Sequence, residues 1–309
     1  MKLFKPRFWD NENTSIIALL LLPISIIIQL IVRVKLFSKP KKFNIPVICV
    51  GNIYLGGTGK TPLSIKISDI FKKLNVKNAI IKKYHSNQKD EFKLIKSKSN
   101  NLFFGSSRVL ATKKAINENY KLAILDDGFQ DNSIFKNLNI LCFNERQLLG
   151  NGYTIPSGPL RENISSIKRS NIILVNGKKN KKFEKKINSI SRKIKIFYSY
   201  YEPININKFK NKKILAFAGI GNPENFFSLL KKYKLNVKEK IAYPDHYLYS
   251  KNEIKELIKK AKKNKLILLT TEKDHFRIKH LGFREIGTLS IRIVIVKERE
   301  FVKELKKIL

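Results

Sequence analysis

Val50–Thr61 reads VGNIYLGGTGKT, with Pro62 behind it, and the fold turns on this stretch. An apolar strand, Ile45–Val50, runs into a glycine-rich turn. Thr61–Leu74 then carries Leu63, Ile67, Ile70 and Leu74 at helical spacing. Strand, glycine loop and helix in that order are what a phosphate cradle requires, because backbone amides converge on oxygens at the positive end of a helix. The loop is read as Tyr54, Leu55, Gly56, Gly57, Thr58, Gly59, Lys60 and Thr61. Its glycines let the backbone come close, Lys60 reaches the β- and γ-phosphates, and Thr61 offers a hydroxyl to Mg2+. A strict Walker A pattern has glycine where this chain has Tyr54, so the loop is a variant. Pro62 suits the first turn of the helix that follows.

Downstream, Leu122–Gln130 reads LAILDDGFQ, an apolar strand that delivers Asp126 and Asp127 at its end. Such a pair resembles a Walker B element, whose carboxylate holds Mg2+ directly or through water. Around these two motifs the chain alternates short strands (Ala79–Ile81, Leu122–Leu125, Ile140–Phe143, Ile172–Val175) with helical stretches such as Val109–Asn119. The pattern predicts an α/β fold, a P-loop-type parallel sheet with helices on both faces. Lys178–Lys195 reads as an exposed helix and Tyr198–Asn211 as a connector. A second series then predicts a smaller α/β domain: strand Ile214–Ala218, helices near Pro223–Tyr233 and over Lys251–Asn264, strands Leu266–Thr270 and Leu289–Val296, and a helix from Arg299. The expected division is a membrane anchor over 1–35, a P-loop domain over 36–205 and a C-terminal domain over 206–309.

The chain has 309 residues, 43% of them apolar, enough for ordinary cores and against global disorder. Its 63 Lys and Arg against 24 Asp and Glu leave a net charge of +39. Only 11 of those basic residues are Arg, and the Lys are spread along the whole chain. Readers of nucleic acid lean on Arg, so the dispersed Lys count against nucleic acid. The plain reading here is a compositional bias toward Lys, Ile and Asn with solvated Lys faces. A basic surface still favours anionic membranes or phosphate-bearing substrates, but charge alone does not choose a partner. Cys49 and Cys142 each lie in an apolar run, as reduced thiols buried in strands do. No CxxC or Cys/His cluster is present, which excludes a disulfide framework and a structural zinc site.

Thr14–Val32 is a run of 19 residues without a charge. At helical rise it would extend about 28 Å, close to the thickness of a bilayer's hydrocarbon. Phe8 and Trp9 precede it as interface aromatics, and Arg33, Lys35, Lys39, Lys41 and Lys42 follow it as a cytoplasmic basic flank. No small-residue cleavage site follows. The expectation is an uncleaved N-terminal membrane helix that spans the bilayer or lies within one leaflet.

VGNIYLGGTGKTP, DDGFQ, GNGYTIPSGPLRE, AFAGIGNPENFF, YPDHY and TTEKD occur here in the order seen in the tetraacyldisaccharide 4'-kinases, and the chain resembles that family over nearly its whole length. The resemblance implies an ATP- and Mg2+-dependent kinase acting on the disaccharide precursor of lipid A. It would work at the inner (cytoplasmic) membrane with its catalytic domains facing the cytoplasm. A glycolipid substrate and an anionic membrane surface are its expected partners, with no obligate protein partner. It also implies a base matched by Asp90 in Lys89-Asp90-Glu91-Phe92, paired with His246 in Tyr243-Pro244-Asp245-His246. A carboxylate can take the sugar hydroxyl's proton while a neighbouring histidine orients it. Catalytic roles fall to Asp90, His246, Lys60, Asp127 and Arg161, the last in Ser157–Glu162 (SGPLRE), and metal-binding roles to Thr61, Asp126 and Asp127. Two departures stand out. Lys82-Lys83-Tyr84-His85-Ser86 replaces an RGYGG-like stretch, and Asp131 stands where the family commonly has histidine. The alternatives are a membrane-tethered nucleotide-hydrolysing switch or transport ATPase, whose acceptor is water, and a nucleic-acid-binding protein with an accessory nucleotide site. No NKxD sequence supports a GTPase.

Overall fold

The computed structural model describes residues 6–10, 15–36, 39–84 and 89–309. In chain order the elements are α1 (Ile16–Leu20), α2 (Leu22–Leu36), β1 (Val47–Gly51), α3 (Lys60–Lys73), β2 (Asn78–Lys83), α4 (Lys89–Lys98), β3 (Leu102–Gly105), α5 (Arg108–Asn117), β4 (Leu122–Asp126), β5 (Leu138–Asn144), β6 (Ile172–Asn176), α6 (Lys181–Ile190) and β7 (Lys195–Pro203). There follow β8 (Ile214–Ala218), α7 (Pro223–Lys232), β9 (Val237–Ala242), α8 (Lys251–Lys263), β10 (Ile267–Thr271), α9 (Glu272–Ile278), β11 (Ile286–Leu289), β12 (Ile291–Ile295) and α10 (Glu298–Lys306).

The chain forms two compact units. The larger holds an eight-stranded sheet in the order β12-β7-β6-β5-β1-β4-β2-β3. β1 pairs in parallel with β4 (Val50↔Asp126) and with β5 (Val50↔Ile140). Because β1 is buried on both faces it reads as an unbroken apolar run rather than an alternating one. Val47, Cys49, Ala79, Ile81, Ala123 and Leu125 share one core with Ala111 and Ala115 of α5. Their neighbours Ile48, Ile80 and Ile124 are equally buried and face the other way; α3 packs on β1, β2 and β4. Connections leave β1 toward β2 on one side of the sheet and reach β5 on the other. The strand order therefore reverses beside β1, and in open α/β sheets the crevice at such a point takes the ligand.

The smaller unit holds a parallel sheet in the order β11-β10-β8-β9. Alternation along β8 divides its two cores. Ile214, Ala216 and Ala218 pack with Phe226, Phe227 and Leu230 of α7. Leu215 and Phe217 pack with Ile254, Leu257 and Ile258 of α8.

Several expectations change. Tyr198–Asn211, read as a connector, opens inside β7, which pairs in parallel with β6 (Ile173↔Ile196, Val175↔Tyr198). Its aromatic residues carry the strand preference that its serine and glutamate mask. Leu289–Val296 is not one strand: Ser290 divides β11, in the smaller sheet, from β12, at the edge of the larger. The C-terminal span 206–309 is accordingly not one domain, since Ile293–Leu309 belongs to the larger unit. There Phe301 of α10 is buried edge-on against Phe197. In the other direction α4, placed by expectation in the P-loop domain, belongs to the smaller unit.

The expected membrane-spanning helix is also corrected. Thr14 lies outside the described residues, and the rest of Thr14–Val32 divides at Leu21 into α1 and α2. Pro23, without an N–H, sits in the first turn of α2, so the break falls where the backbone loses a donor. Among the described residues no helix is long and apolar enough to cross a membrane. What the segment does bury is its small and polar side. Ala18 and Ser25 are buried, the Ser25 hydroxyl donates to Thr154 O at 3.0 Å, and Gln29 Nε2 donates to Arg161 O at 3.2 Å. Ile16, Leu20, Ile24, Ile27 and Ile31 are left exposed. Trp9 is not an interface residue but is buried, its indole N–H donating to Pro156 O at 3.0 Å.

Candidate active site

The glycine loop joins the end of β1 to α3. Gly59, at φ +93°, caps α3 in the left-handed region and Gly56 has φ +125°, so both positions need glycine. Tyr54 does not adopt a positive φ. Its side chain turns into the core, where its hydroxyl donates to Asp10, and burial followed by that carboxylate pushes its pKa up. Tyr54 bridges to Leu160, and the Leu55 N–H donates to Pro159 O at 2.8 Å. The departure from Walker A thus anchors the loop to the IPSGPLRE segment instead of disturbing it. Asn52 braces it from within: its amide donates to Tyr54 O and Gly56 O, while Gln130 Nε2 donates to Asn52 O at 2.9 Å. The Thr58 hydroxyl is buried with no hydrogen-bond partner among the described residues, as suits a group awaiting an oxygen from a ligand.

The two acids of DDGFQ sit differently. Asp126 closes β4 with no exposure. Its Oδ1 accepts from Ser64 Oγ at 3.0 Å, and its Oδ2 accepts from Thr61 Oγ1 at 3.1 Å and Lys82 Nζ at 2.8 Å. Asp127 takes φ +57°, its N–H donating to Val50 O at 2.9 Å. Its carboxylate meets Lys60 Nζ at 3.6 Å and Arg161 Nη1 at 3.0 Å. Burial works to raise the Asp127 pKa, but Lys60, Arg161, Lys82 and Arg108 together hold the carboxyl well below the usual carboxylate range. The structure thus brings Lys60, Thr61, Asp126, Asp127 and Arg161 together in the larger unit.

Sequence reasoning missed Asn52, Ser64, Lys82, Arg108 and Gln130. Lys82 had a signal: it falls on the Ile80 side of β2, one step past the pairing Ile81↔Leu125, which sets it beside Asp126. Arg108 explains Asp131. Its Nη1 donates to Asp131 Oδ2 at 2.8 Å, and its other terminal nitrogen donates to Asp127 O. Burial raises the Asp131 pKa, yet Ser133 and Arg108 bring it down overall.

The donors beside the loop are all oxygens, a hydroxyl and two carboxylates, and that set suits a hard cation such as Mg2+. No group of three or more His, Cys, Asp or Glu able to hold a metal occurs among the described residues. Magnesium needs none, since it takes one or two carboxylates with phosphates and water. Thr61 and Asp127 fit direct contact. Asp126, fully buried and hydrogen-bonded to the Thr61 hydroxyl, fits an indirect role through Thr61 or water.

Asp90 and His246 belong to the smaller unit. Asp90 lies in the first turn of α4, and its side chain is outside the described residues, as are His85 and Ser86. His246 follows β9 with φ +55°, its N–H donating to Asp245 Oδ1 at 2.9 Å. Most other non-glycine positive-φ residues sit just after a helix, where such a conformation ends the turn. His246 and Asp127 do not, and strain away from helix ends concentrates at functional sites.

A family model described as Tetraacyldisaccharide-1-P 4'-kinase matches residues 17–309. A tetraacyldisaccharide 4'-kinase of Pelagibacter ubique is 44% identical over 313 aligned residues, covering 100% of this chain and 99% of the relative. One from Rickettsia bellii is 32% identical, covering 90% of each. The solved structure of LpxK from Aquifex aeolicus, in complex with ATP, is similar in fold, with a TM-score of 0.71 at 24% identity over 95% of this chain and 99% of that one.

The depressed Asp127 pKa fixes the sign of a pH effect. A carboxylate lowered on folding contributes stability that is fully present above its unfolded value of about 4 and is lost as pH falls through the folded value. Urea titrations from about pH 6 down to about pH 3 are therefore expected to show wild-type stability falling more steeply than that of Asp127→Asn.

Proposed function

The chain belongs to the tetraacyldisaccharide-1-P 4'-kinase family, and we propose that it moves the γ-phosphoryl group of ATP onto the 4'-hydroxyl of the tetraacyldisaccharide 1-phosphate precursor of lipid A, giving lipid IVA. One observation of the site carries this reading: beside the end of the phosphate loop, the Asp127 carboxylate that follows β4 is flanked by two cations, Lys60 at 3.6 Å and Arg161 at 3.0 Å. Phosphoryl transfer asks a protein for position and charge rather than for a nucleophile. Lys60 and Arg161 supply positive charge where the triphosphate and its transferring group concentrate negative charge. The acceptor oxygen bonds to the γ-phosphorus as the bond to the β,γ-bridging oxygen breaks, and ADP leaves. The hydroxyl's proton passes to Asp90, which His246 orients. Mg2+ held by Thr61 and Asp127, with Asp126 behind Thr61, would neutralise charge on the β- and γ-phosphates. A switch or transport ATPase would use the same loop with water as acceptor, and family membership favours the glycolipid.

The enzyme's proposed seat is the cytoplasmic face of the inner membrane, with α1 and α2 lying in one leaflet. The exposed apolar side of these helices supports this, as does the net charge of +39, which attracts anionic headgroups.

Assayed with ATP, Mg2+ and purified lipid A disaccharide 1-phosphate, Lys60→Ala and Thr61→Ala are each expected to lose roughly a hundredfold in rate, or about 3 kcal/mol, while remaining folded. Full activity in either would remove the loop from the mechanism. Asp90→Ala and His246→Ala should each lower kcat by about 10²–10⁴-fold with ATP affinity retained, and the double variant should be scarcely worse than Asp90→Ala. Losses that multiply would show the two acting independently. Replacing Ile24, Ile27 and Ile31 together by serine should release the protein from anionic vesicles in a co-sedimentation assay without changing ATP affinity. Unchanged sedimentation would count against the leaflet reading.

A further inference from the structure

Thr271-Glu272-Lys273-Asp274 has no part in the chemistry above, yet the smaller unit gives each of these residues a definite partner. Thr271 caps α9: its hydroxyl accepts from the Asp274 N–H at 3.2 Å and donates to Asp274 Oδ2 at 2.7 Å. Glu272 receives the Lys98 ammonium at 2.7 Å from the last turn of α4, and the Lys273 ammonium pairs with Glu91 in the first turn of that helix. So α9 grips α4 at both ends, and Glu91 is the immediate neighbour of Asp90.

Asp274 is fully buried. It accepts from the Gly219 N–H at 3.1 Å, the Tyr249 hydroxyl at 3.0 Å and Arg277 Nη1 at 2.8 Å. Arg277 is itself nearly buried, and its Nη1 also donates to Gly219 O. A side chain at Gly219 would strike the Tyr249 hydroxyl at 2.8 Å, so the network closes only around glycine. The other end of the guanidinium is directed elsewhere: Nη2 lies 3.4 Å from His246 Nδ1.

A guanidinium stays charged and can only donate. In this contact His246 Nδ1 is therefore the acceptor, and the proton of the neutral ring is on Nε2. We infer that Asp274 and Arg277 are positioning residues that fix the tautomer and the facing of His246, while Lys273 and Glu272 hold the helix that carries Asp90. The motif is the clamp that sets the acid and the histidine in a constant relation, and Nε2 is the nitrogen through which the ring acts. The left-handed backbone of His246 fits this, because a strained conformation persists only where its surroundings over-determine it. The inference rests on the proposed role of His246 in the reaction.

The test reads the tautomer directly. Long-range ¹H–¹⁵N spectra of the full chain labelled at histidine, with His246→Gln assigning the signal, are expected to show Nδ1 unprotonated and Nε2 protonated at a pH where the ring is neutral. A protonated Nδ1 in the wild type overturns the inference without recourse to any variant. In Arg277→Met that signature should fade and kcat fall by roughly tenfold or more with KM for ATP unchanged, and Arg277→Lys, which keeps a donor, should restore part of both. Should Arg277→Met fail to fold, the neutral pair Asp274→Asn with Arg277→Met takes its place and carries the same expectation. An unaltered His246 signature in the folded variant overturns the inference. A signature that changes while His246→Gln keeps wild-type kcat upholds the positioning of the ring and sinks the proposed catalytic role of His246 instead.

Discussion

Asp126 is a carboxylate with no access to solvent, and a charge buried that deeply is tolerated only when it is paired and hydrogen-bonded. Its partners come from separate elements: Lys82 from β2, Thr61 and Ser64 from the first turns of α3. Meeting them fixes the pairing of β2 on β4 and the angle at which α3 leaves the glycine loop. It also fixes the direction of the Thr61 hydroxyl at the end of the glycine loop. Removing Lys82 would leave an uncompensated charge in the sheet, which typically costs about 3–5 kcal/mol. The interaction that holds the fold together is thus also the one that aims the site.

Asp127, the next residue, shows how neighbouring identical side chains come to differ. The strand ends, the backbone turns left-handed, and the second carboxylate leaves the sheet for the company of Lys60 and Arg161. One acid is committed to structure and the other is presented to charge that can be exchanged.

The nucleotide site was legible because its chemistry is local: the loop, the strand before it, the helix after it and the acid pair are each contiguous in sequence. What pattern reading missed was non-local. Lys82 looks like any other lysine in a chain rich in them, and only strand pairing puts it beside Asp126. Strand β7 was hidden because its burial is irregular, and β12 because the isoleucine- and valine-rich stretch Leu289–Val296 gives no sign that Ser290 hands the chain from one sheet to another. The N-terminal segment misled for a different reason. Hydropathy counts apolar residues without asking which side of a helix meets protein, and here the small and polar side, Ala18, Ser25 and Gln29, is the one engaged. The family resemblance reached Asp90, His246 and TTEKD, whose residue types alone are unremarkable.

The larger unit takes most of one edge strand, β12, and a packed helix from Ile293–Leu309, after the run Tyr201–Arg292 that makes up most of the smaller unit. During synthesis on the ribosome, β7 must therefore wait with an open edge while more than eighty further residues emerge. Unpaired strand edges are sites of misassociation. The smaller unit's main segment, in contrast, is complete before the larger one can be closed. The order in which the chain is made thus runs opposite to the order in which its motifs are read: the nucleotide loop comes out early, and the sheet that carries it is sealed last.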